Sequence, residues 1–141
     1  MIPRLEFFDK YRDYGALFIR LVVGFHLVYG TQDNVFSYAR MEEFAEFLGA
    51  RGVPFPLFAA FLSAYAQFVC GILFVVGAFT RPAALVMVIN FVAALFIAHR
   101  SDAYPAKFPA LMMLSAALFL LLHGAGRPSF DERSRGRRGR R

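Results

Sequence analysis

Residues 57–79 read LFAAFLSAYAQFVCGILFVVGAF and contain no charged side chain. An α-helix rises about 1.5 Å per residue, so a helix of this length crosses the hydrocarbon core of a bilayer, which is about 30 Å thick. This stretch therefore predicts a transmembrane helix, and it sets the fold class of the chain.

Three further apolar segments flank this span. Residues 82–98 and 108–123 also lack charged side chains, whereas residues 15–31 contain Arg20 and His26. Four spans of this kind predict an all-α integral membrane four-helix bundle with both termini on the same side of the bilayer.

The composition of the 141-residue chain favours a membrane environment. Hydrophobic residues make up 58% of the sequence, against about 45–50% in soluble domains, and charged residues only 18%. A soluble domain of this size cannot bury so much apolar surface, which excludes the soluble and disordered classes. The single cysteine, Cys70, excludes a disulfide framework and a CxxC redox pair.

The distribution of basic residues predicts the orientation of the bundle. The N-terminal arm, the turn at Arg81 and the C-terminal tail together contain eleven lysines and arginines, whereas the opposite side has four. By the positive-inside rule we expect both termini in the cytoplasm, as in a multi-pass protein of the inner or plasma membrane. The arm lacks the apolar segment of a signal peptide.

These features divide the chain into an interfacial arm at residues 1–14, a four-helix domain at 15–124 and a basic tail at 125–141. The tail contains seven arginines, and we expect it to contact anionic lipid at the membrane surface. Nucleic acid is not an expected partner, because no folded basic domain or stacking platform accompanies the tail.

One long loop, residues 32–56, separates the first two spans on the predicted outer side. Within it the stretch SYARMEEFAEFLGARG has apolar residues at helical spacing and acidic residues mostly on the opposite face. This pattern predicts a short amphipathic helix lying on the outer membrane surface, with an apolar face formed by Met41, Phe44, Phe47 and Leu48.

Polar side chains within the spans are the candidate functional residues, because lipid disfavours them unless they have a partner. Helix rise places His26 and Gln67 at a similar depth, about 17 Å from the cytoplasmic edge, with Asn90 near 12 Å and Arg20 near 8 Å. Arg20 has two interpretations: it extends to the cytoplasmic interface, or it pairs with Asn90, Gln67 or a bound carbonyl. Gln67 and Asn90 either link two helices or contact one ligand.

Tyr29, Tyr65 and His99 are secondary candidates for the same ligand site. The three histidines, His26, His99 and His123, are predicted at different depths, so a haem clamped by two of them is not expected. No metal site is expected either.

Four stretches of the chain, in order, are LFIRLVVGFHLVYG, GVPFP, AQFVCGILFVVGAFTRPAAL and GAGRPSFDE. Together they resemble the DoxX family of small four-helix membrane proteins over about residues 15–132. Gln67 stands where relatives often have a glutamate, and Cys70 where they commonly have a glycine. Members of the family include a subunit of a thiosulfate:quinone oxidoreductase, so the resemblance implies a quinone-linked membrane protein.

Three functions stand as hypotheses. In the first, the chain is a membrane subunit or accessory of a quinone-linked redox system with a redox enzyme as partner. Arg20 and Asn90 donate hydrogen bonds to a bound quinone, and His26 relays a proton. In the second, the chain is a non-catalytic scaffold that anchors a partner through its outer loop. The third, a small transporter, lacks the discontinuous helices and charged lining typical of that class. Association into homo-oligomers is compatible with each.

Overall fold

A computed structural model describes residues 5–138, and within this range the regular structure is entirely helical. A 3₁₀ turn, Glu6–Tyr11, leads directly into the first α-helix, and a π-helical turn, Ala94–Ala98, extends the fourth. The six α-helices are α1 (Arg12–Phe36), α2 (Tyr38–Ala50), α3 (Pro56–Val76), α4 (Thr80–Ala93), α5 (Tyr104–His123) and α6 (Phe130–Arg138).

Four helices are long and apolar enough to cross a membrane: α1, α3, α4 with its π turn, and α5. This confirms the predicted all-α four-helix membrane architecture. Successive spanning helices run in opposite directions, so the described chain begins and ends at one end of the bundle, which we call the terminal end. The other end carries α2 and is called the loop end.

The helix boundaries differ from the predicted spans. α1 continues to Phe36, and α5 begins as early as Tyr104. Hydropathy marks the part of a helix that lies in lipid, whereas the helix itself can continue into water. α3 ends at Val76, earlier than predicted, because Gly77 adopts the left-handed conformation (φ 73°) that commonly terminates helices.

The predicted amphipathic helix of the outer loop is confirmed as α2, which Ser37 caps by accepting a hydrogen bond from the Arg40 amide. Its buried face is formed by Met41, Ala45 and Leu48, and it packs against the first half of α3. The helix is therefore part of the bundle and does not rest on lipid alone. Small residues on the α3 face, Ala60 and Ala64, allow this contact.

The spanning helices surround an apolar core that includes Leu27, Phe74 and Leu120. α1 and α3 approach closely where Gly24 faces Gly71. A Cβ added to Gly24 would lie 2.6 Å from the Gly71 carbonyl oxygen, so the two backbones are in direct contact. Small residues permit such packing between membrane helices, where dispersion contacts are the main attraction.

We expect Gly24→Ala to destabilise the bundle, because the added methyl group meets a main-chain atom that cannot move alone. Overpacking of this kind lowers the free energy of unfolding by about 1–3 kcal/mol. The matched control is Gly15→Ala on the same helix, where an added Cβ has no neighbour within 4 Å. Thermal unfolding in detergent should show a lower midpoint for Gly24→Ala only. Equal midpoints for the two variants would contradict the close contact.

Candidate functional site

Arg20 lies in α1 near the terminal end and is only 1% exposed. Its Nε donates to the carbonyl oxygen of Phe74 at 3.0 Å. Its Nη1 and Nη2 donate to the carbonyl oxygens of Ala125 at 2.7 Å and Pro128 at 3.0 Å. One guanidinium therefore ties α1 to α3 and to the chain that follows α5.

This placement corrects the predictions made for Arg20. The pairing with Asn90 or Gln67 is wrong, because main-chain carbonyls accept from three nitrogens of the guanidinium. The side chain does extend toward the terminal end, but it meets protein there instead of the membrane interface. The planar guanidinium suits this role, since it presents several donors in a rigid arrangement.

The chain after α5, residues 124–131, packs onto the terminal end and is called the closing segment. The Asp131 carboxylate accepts from the amides of Phe79 at 2.8 Å and Thr80 at 2.9 Å, which caps the N-terminus of α4. The Arg127 amide donates to the carbonyl of Asp13 at 3.2 Å. The structure thus joins these residues to the bundle, whereas the sequence assigned residues 125–141 to a separate tail.

A cavity of about 360 Å³ occupies the loop-end half of the bundle and is called the loop-end cavity. It lies between α1, α3, α4 and α5, and α2 contributes to its wall. Aromatic side chains of Phe44, Phe47 and Phe91 contribute to an otherwise largely aliphatic lining. Four of the predicted candidates also line it: His26, Gln67, Asn90 and His99.

Three polar side chains on the cavity wall form a hydrogen-bonded series, which we call the amide chain. Gln67 Nε2 donates to Ser63 Oγ at 3.0 Å, and Ser63 Oγ donates to Asn90 Oδ1 at 2.8 Å. Within residues 5–138, no hydrogen-bond partner is found for Asn90 Nδ2 or Gln67 Oε1. The amide chain therefore offers a ligand one amide donor and one acceptor.

Gln67 and Asn90 were predicted to link two helices or to contact one ligand. In the structure they are linked through Ser63, which forms a hydrogen bond with each of them. Sequence reasoning missed Ser63. Its spacing of four from Gln67 places both side chains on the same face of α3, which was the available signal.

A second polar group, the ion cluster of Arg51, His99 and Asp102, lies at the loop end of the cavity. Arg51 Nη1 contacts Asp102 Oδ1 at 2.7 Å and donates to the carbonyl of Ala98 at 2.8 Å. His99 Nδ1 lies 2.7 Å from Asp102 Oδ2. The hydrogen bonds from Arg51 and His99 lower the pKa of Asp102 below its ordinary value, so the carboxylate is ionised at neutral pH.

The sequence showed no sign of this ion cluster beyond His99 itself. Arg51 and Asp102 are 51 residues apart, and the packing of α2 and its C-terminal turn against the bundle brings them together. Because folding lowers the pKa of Asp102, its stabilising contribution is present above the ordinary carboxyl pKa. That contribution is lost as the pH falls through the lowered value.

The family model for DoxX matches residues 15–100, which is more than half of the chain. The chain belongs to the DoxX family. Its four apolar helices make this DoxX protein a multi-pass membrane protein. Neither the comparison with curated proteins nor that with solved structures finds a match.

The matched region of this DoxX protein includes the amide chain, His26 and His99, whereas Asp102 and the closing segment lie beyond it. The remaining predicted candidates lie apart from the cavity lining. Tyr29 stacks on Phe25 and Tyr65 on Phe61, and both tyrosines are largely exposed on faces suited to lipid. Among residues 5–138, no three His, Cys, Asp or Glu side chains are placed to hold a metal ion.

Proposed function

We propose that this DoxX protein binds the headgroup of a membrane quinone in the loop-end cavity, as a membrane subunit or accessory of a quinone-linked redox system. The observation that carries the proposal is the amide chain set in an apolar, aromatic cavity. A quinone headgroup has a flat apolar ring and two carbonyl oxygens that only accept hydrogen bonds. Asn90 Nδ2 supplies a donor for one of them.

The size and surroundings of the cavity support this ligand class. Its volume of about 360 Å³ lies within the range of about 300–1,000 Å³ typical of small-molecule sites. α5 packs mainly against α4 and only lightly against α1, and His26 on α1 is exposed while lining the cavity. A lipid-soluble molecule can therefore reach the cavity from the side and leave its tail in the bilayer.

The proposal reassigns the residue roles expected from sequence. Asn90 remains a donor to a quinone carbonyl, and His26 remains a proton relay. Arg20 is not assigned to the quinone, because its Nη1 and Nη2 atoms donate to carbonyl oxygens of the closing segment. Electrons would be exchanged with a redox-enzyme partner in the membrane.

The test is equilibrium binding of a short-chain ubiquinone analogue to the full chain in lipid nanodiscs. We expect Asn90→Ala to weaken binding by about ten-fold, because an unpaired buried carbonyl is disfavoured by roughly 1–3 kcal/mol. Ser63→Ala should weaken it less, since Ser63 only orients the two amides. The matched control is Ser115→Ala on α5, whose hydroxyl donates to the Leu111 carbonyl away from the cavity. Unchanged affinity in Asn90→Ala would refute the site.

The scaffold function has its own supporting observation, the exposed acidic face of α2 formed by Glu42, Glu43 and Glu46. Gentle purification from native membranes separates the two proposals, with mass spectrometry of proteins and lipids from one preparation. Near-stoichiometric quinone supports the quinone site. A stoichiometric protein partner without quinone supports the scaffold, and removing the charges of this face should then release the partner.

A further inference from the structure

We propose that His99, positioned by Asp102, exchanges a proton between the bound quinone and water at the loop end of the bundle. This inference rests on the proposed quinone site and assigns its proton pathway. His99 carries the proton, Asp102 positions the His99 ring, and the proton comes from the loop end of the bundle.

The imidazole ring of His99 borders the ligand space. His99 lines the loop-end cavity, whereas Arg51 and Asp102 do not. Nδ1 lies 2.7 Å from the Asp102 carboxylate, so the ring stands between this carboxylate and the ligand space. An ionised carboxylate accepts the Nδ1 hydrogen and leaves Nε2 as the nitrogen available to a ligand. Nε2 accepts a hydrogen bond in the neutral ring and donates one in the imidazolium.

Charged side chains surround His99 at the loop end. Arg51 contacts one oxygen of the Asp102 carboxylate at 2.7 Å, and His99 contacts the other oxygen at 2.7 Å, so the carboxylate lies between the guanidinium and the imidazole. Arg51 also donates to the Ala98 carbonyl, which fixes the end of the π turn from which His99 projects. The neighbouring loop carries Arg100, whose carbonyl accepts from Lys107 on α5 at 3.2 Å. From α1, His26 lines the same cavity.

The two ends of the cavity differ in polarity and exposure. At the loop end, the side chains of His99 and Asp102 are 25% and 17% exposed, and both residues lie in the connection between two spanning helices. Toward the terminal end, the bundle is filled by buried apolar side chains, including Met87, Phe74 and Leu120. Beyond them the closing segment covers the bundle end around Arg20. A proton therefore enters most directly from the loop end.

The bound quinone is reduced by an electron-donating partner protein. The quinone gains two electrons, and each of its oxygens gains one proton. At the oxygen facing His99, the Nε2–H bond breaks and an O–H bond forms. The imidazole, now neutral, retains its Nδ1 hydrogen, which is hydrogen-bonded to the Asp102 carboxylate. Nε2 then takes a new proton from water at the loop end. His26 is the group available to the other oxygen, and quinol oxidation reverses these steps.

The experiment uses the full chain in nanodiscs, in excess over a short-chain ubiquinone analogue, with dithionite as the reductant. Quinone affinity is measured first, and the rate of quinone reduction is then followed by absorbance. We expect His99→Gln to weaken quinone binding by less than about ten-fold, because the glutamine amide also donates a hydrogen bond, so the quinone stays bound at an excess of the chain. Its reduction rate should fall at least ten-fold, because general acid–base groups contribute about 10²–10⁴-fold. Added imidazole should restore part of the rate.

Two further variants complete the test. Asp102→Asn should slow reduction less than His99→Gln does, because the imidazole remains but loses the carboxylate that orients it at 2.7 Å. Asp102→Glu, which keeps a carboxylate, should restore part of the rate lost in Asp102→Asn. The matched control is His123→Gln at the terminal end, which should leave binding and rate unchanged. Protection of the buried Cys70 against alkylation verifies that each variant is folded.

The outcomes separate this inference from the proposed function. Wild-type reduction rates in His99→Gln with quinone bound overturn the role of His99 and leave the quinone site intact. A slow rate in His99→Gln that added imidazole does not restore, together with no recovery in Asp102→Glu relative to Asp102→Asn, shows a structural role and also overturns it. Failure of the wild-type chain to bind quinone overturns both proposals.

Discussion

Arg20→Ala should release the closing segment from the bundle and strongly destabilise the protein. The substitution removes the donor for the buried carbonyl oxygens of Phe74 and Ala125 and for the partly buried carbonyl of Pro128. Each buried polar group left unpaired is disfavoured by roughly 1–3 kcal/mol, so the two buried carbonyls alone predict a loss of roughly 2–6 kcal/mol. The stability of Arg20→Lys should lie between those of the wild type and Arg20→Ala, because an ammonium group cannot reach the same three acceptors.

Cys70 provides the measurement, because it is buried in the core and is the only cysteine in the sequence. The temperature at which a maleimide begins to label Cys70 in detergent reports unfolding of the bundle. The matched control is Arg127→Ala, whose exposed guanidinium contacts Asp13 and Glu132 at the surface. Surface ion pairs contribute about 0–1 kcal/mol, so this variant should unfold close to the wild type.

The opposite result would restore the role first expected for Arg20. If Arg20→Ala unfolds at the wild-type temperature but loses quinone binding, the guanidinium serves the ligand and the carbonyl contacts are incidental. Loss of stability with quinone affinity retained in the remaining folded fraction supports the structural role.

Ending the chain at Gly124 should have a similarly large effect, whereas ending it at Glu132 should have a small one. The shorter chain lacks two carbonyl acceptors of Arg20 and the carboxylate of Asp131 that caps α4. Loss of an N-cap is worth about 0.5–2 kcal/mol. The buried guanidinium left without acceptors adds to this loss.

The chain ending at Glu132 keeps every one of these contacts and lacks residues 133–141, which include most of α6 and six of the seven arginines of the tail. It is therefore the matched control for the loss of basic charge. Maleimide labelling of Cys70 should begin at a clearly lower temperature in the Gly124 chain than in the Glu132 chain. Equal stability of the two chains would support the sequence interpretation in which residues 125–141 form a tail outside the bundle.

The fold could be predicted from the sequence because insertion into a membrane depends on the composition of each segment alone. Residues 57–79 are uncharged throughout and mostly apolar, and among the other three spans Arg20 is the one lysine, arginine, aspartate or glutamate. Helix ends were harder, because they depend on local backbone conformation. Gly77 ends α3 inside an apolar run that continues to Phe79, so hydropathy gives no signal at that point.

The candidate site was predicted in part. Because polar residues are rare in the spans, His26, Gln67 and Asn90 were predicted as candidate site residues. The structure places all three on the wall of one cavity, together with His99. Depth estimates rest on helix rise, which gives the level of a side chain but not its direction around the helix. Arg20 was assigned to the same group for this reason, although its partners lie at the terminal end.

Apolar composition alone was sufficient to predict the membrane environment, the number of spanning helices and the residues too polar to lie in lipid without a partner. The partner of each of these residues follows from the packing of the helices and could not be read from composition. Arg20 meets Ala125 across 105 residues, and Arg51 meets Asp102 across 51. Such pairs depend on how the helices rotate and approach, which is set by contacts such as that between Gly24 and Gly71. Transfer of one helix into lipid is a property of that helix, whereas a hydrogen bond between two segments depends on the packing of all of them.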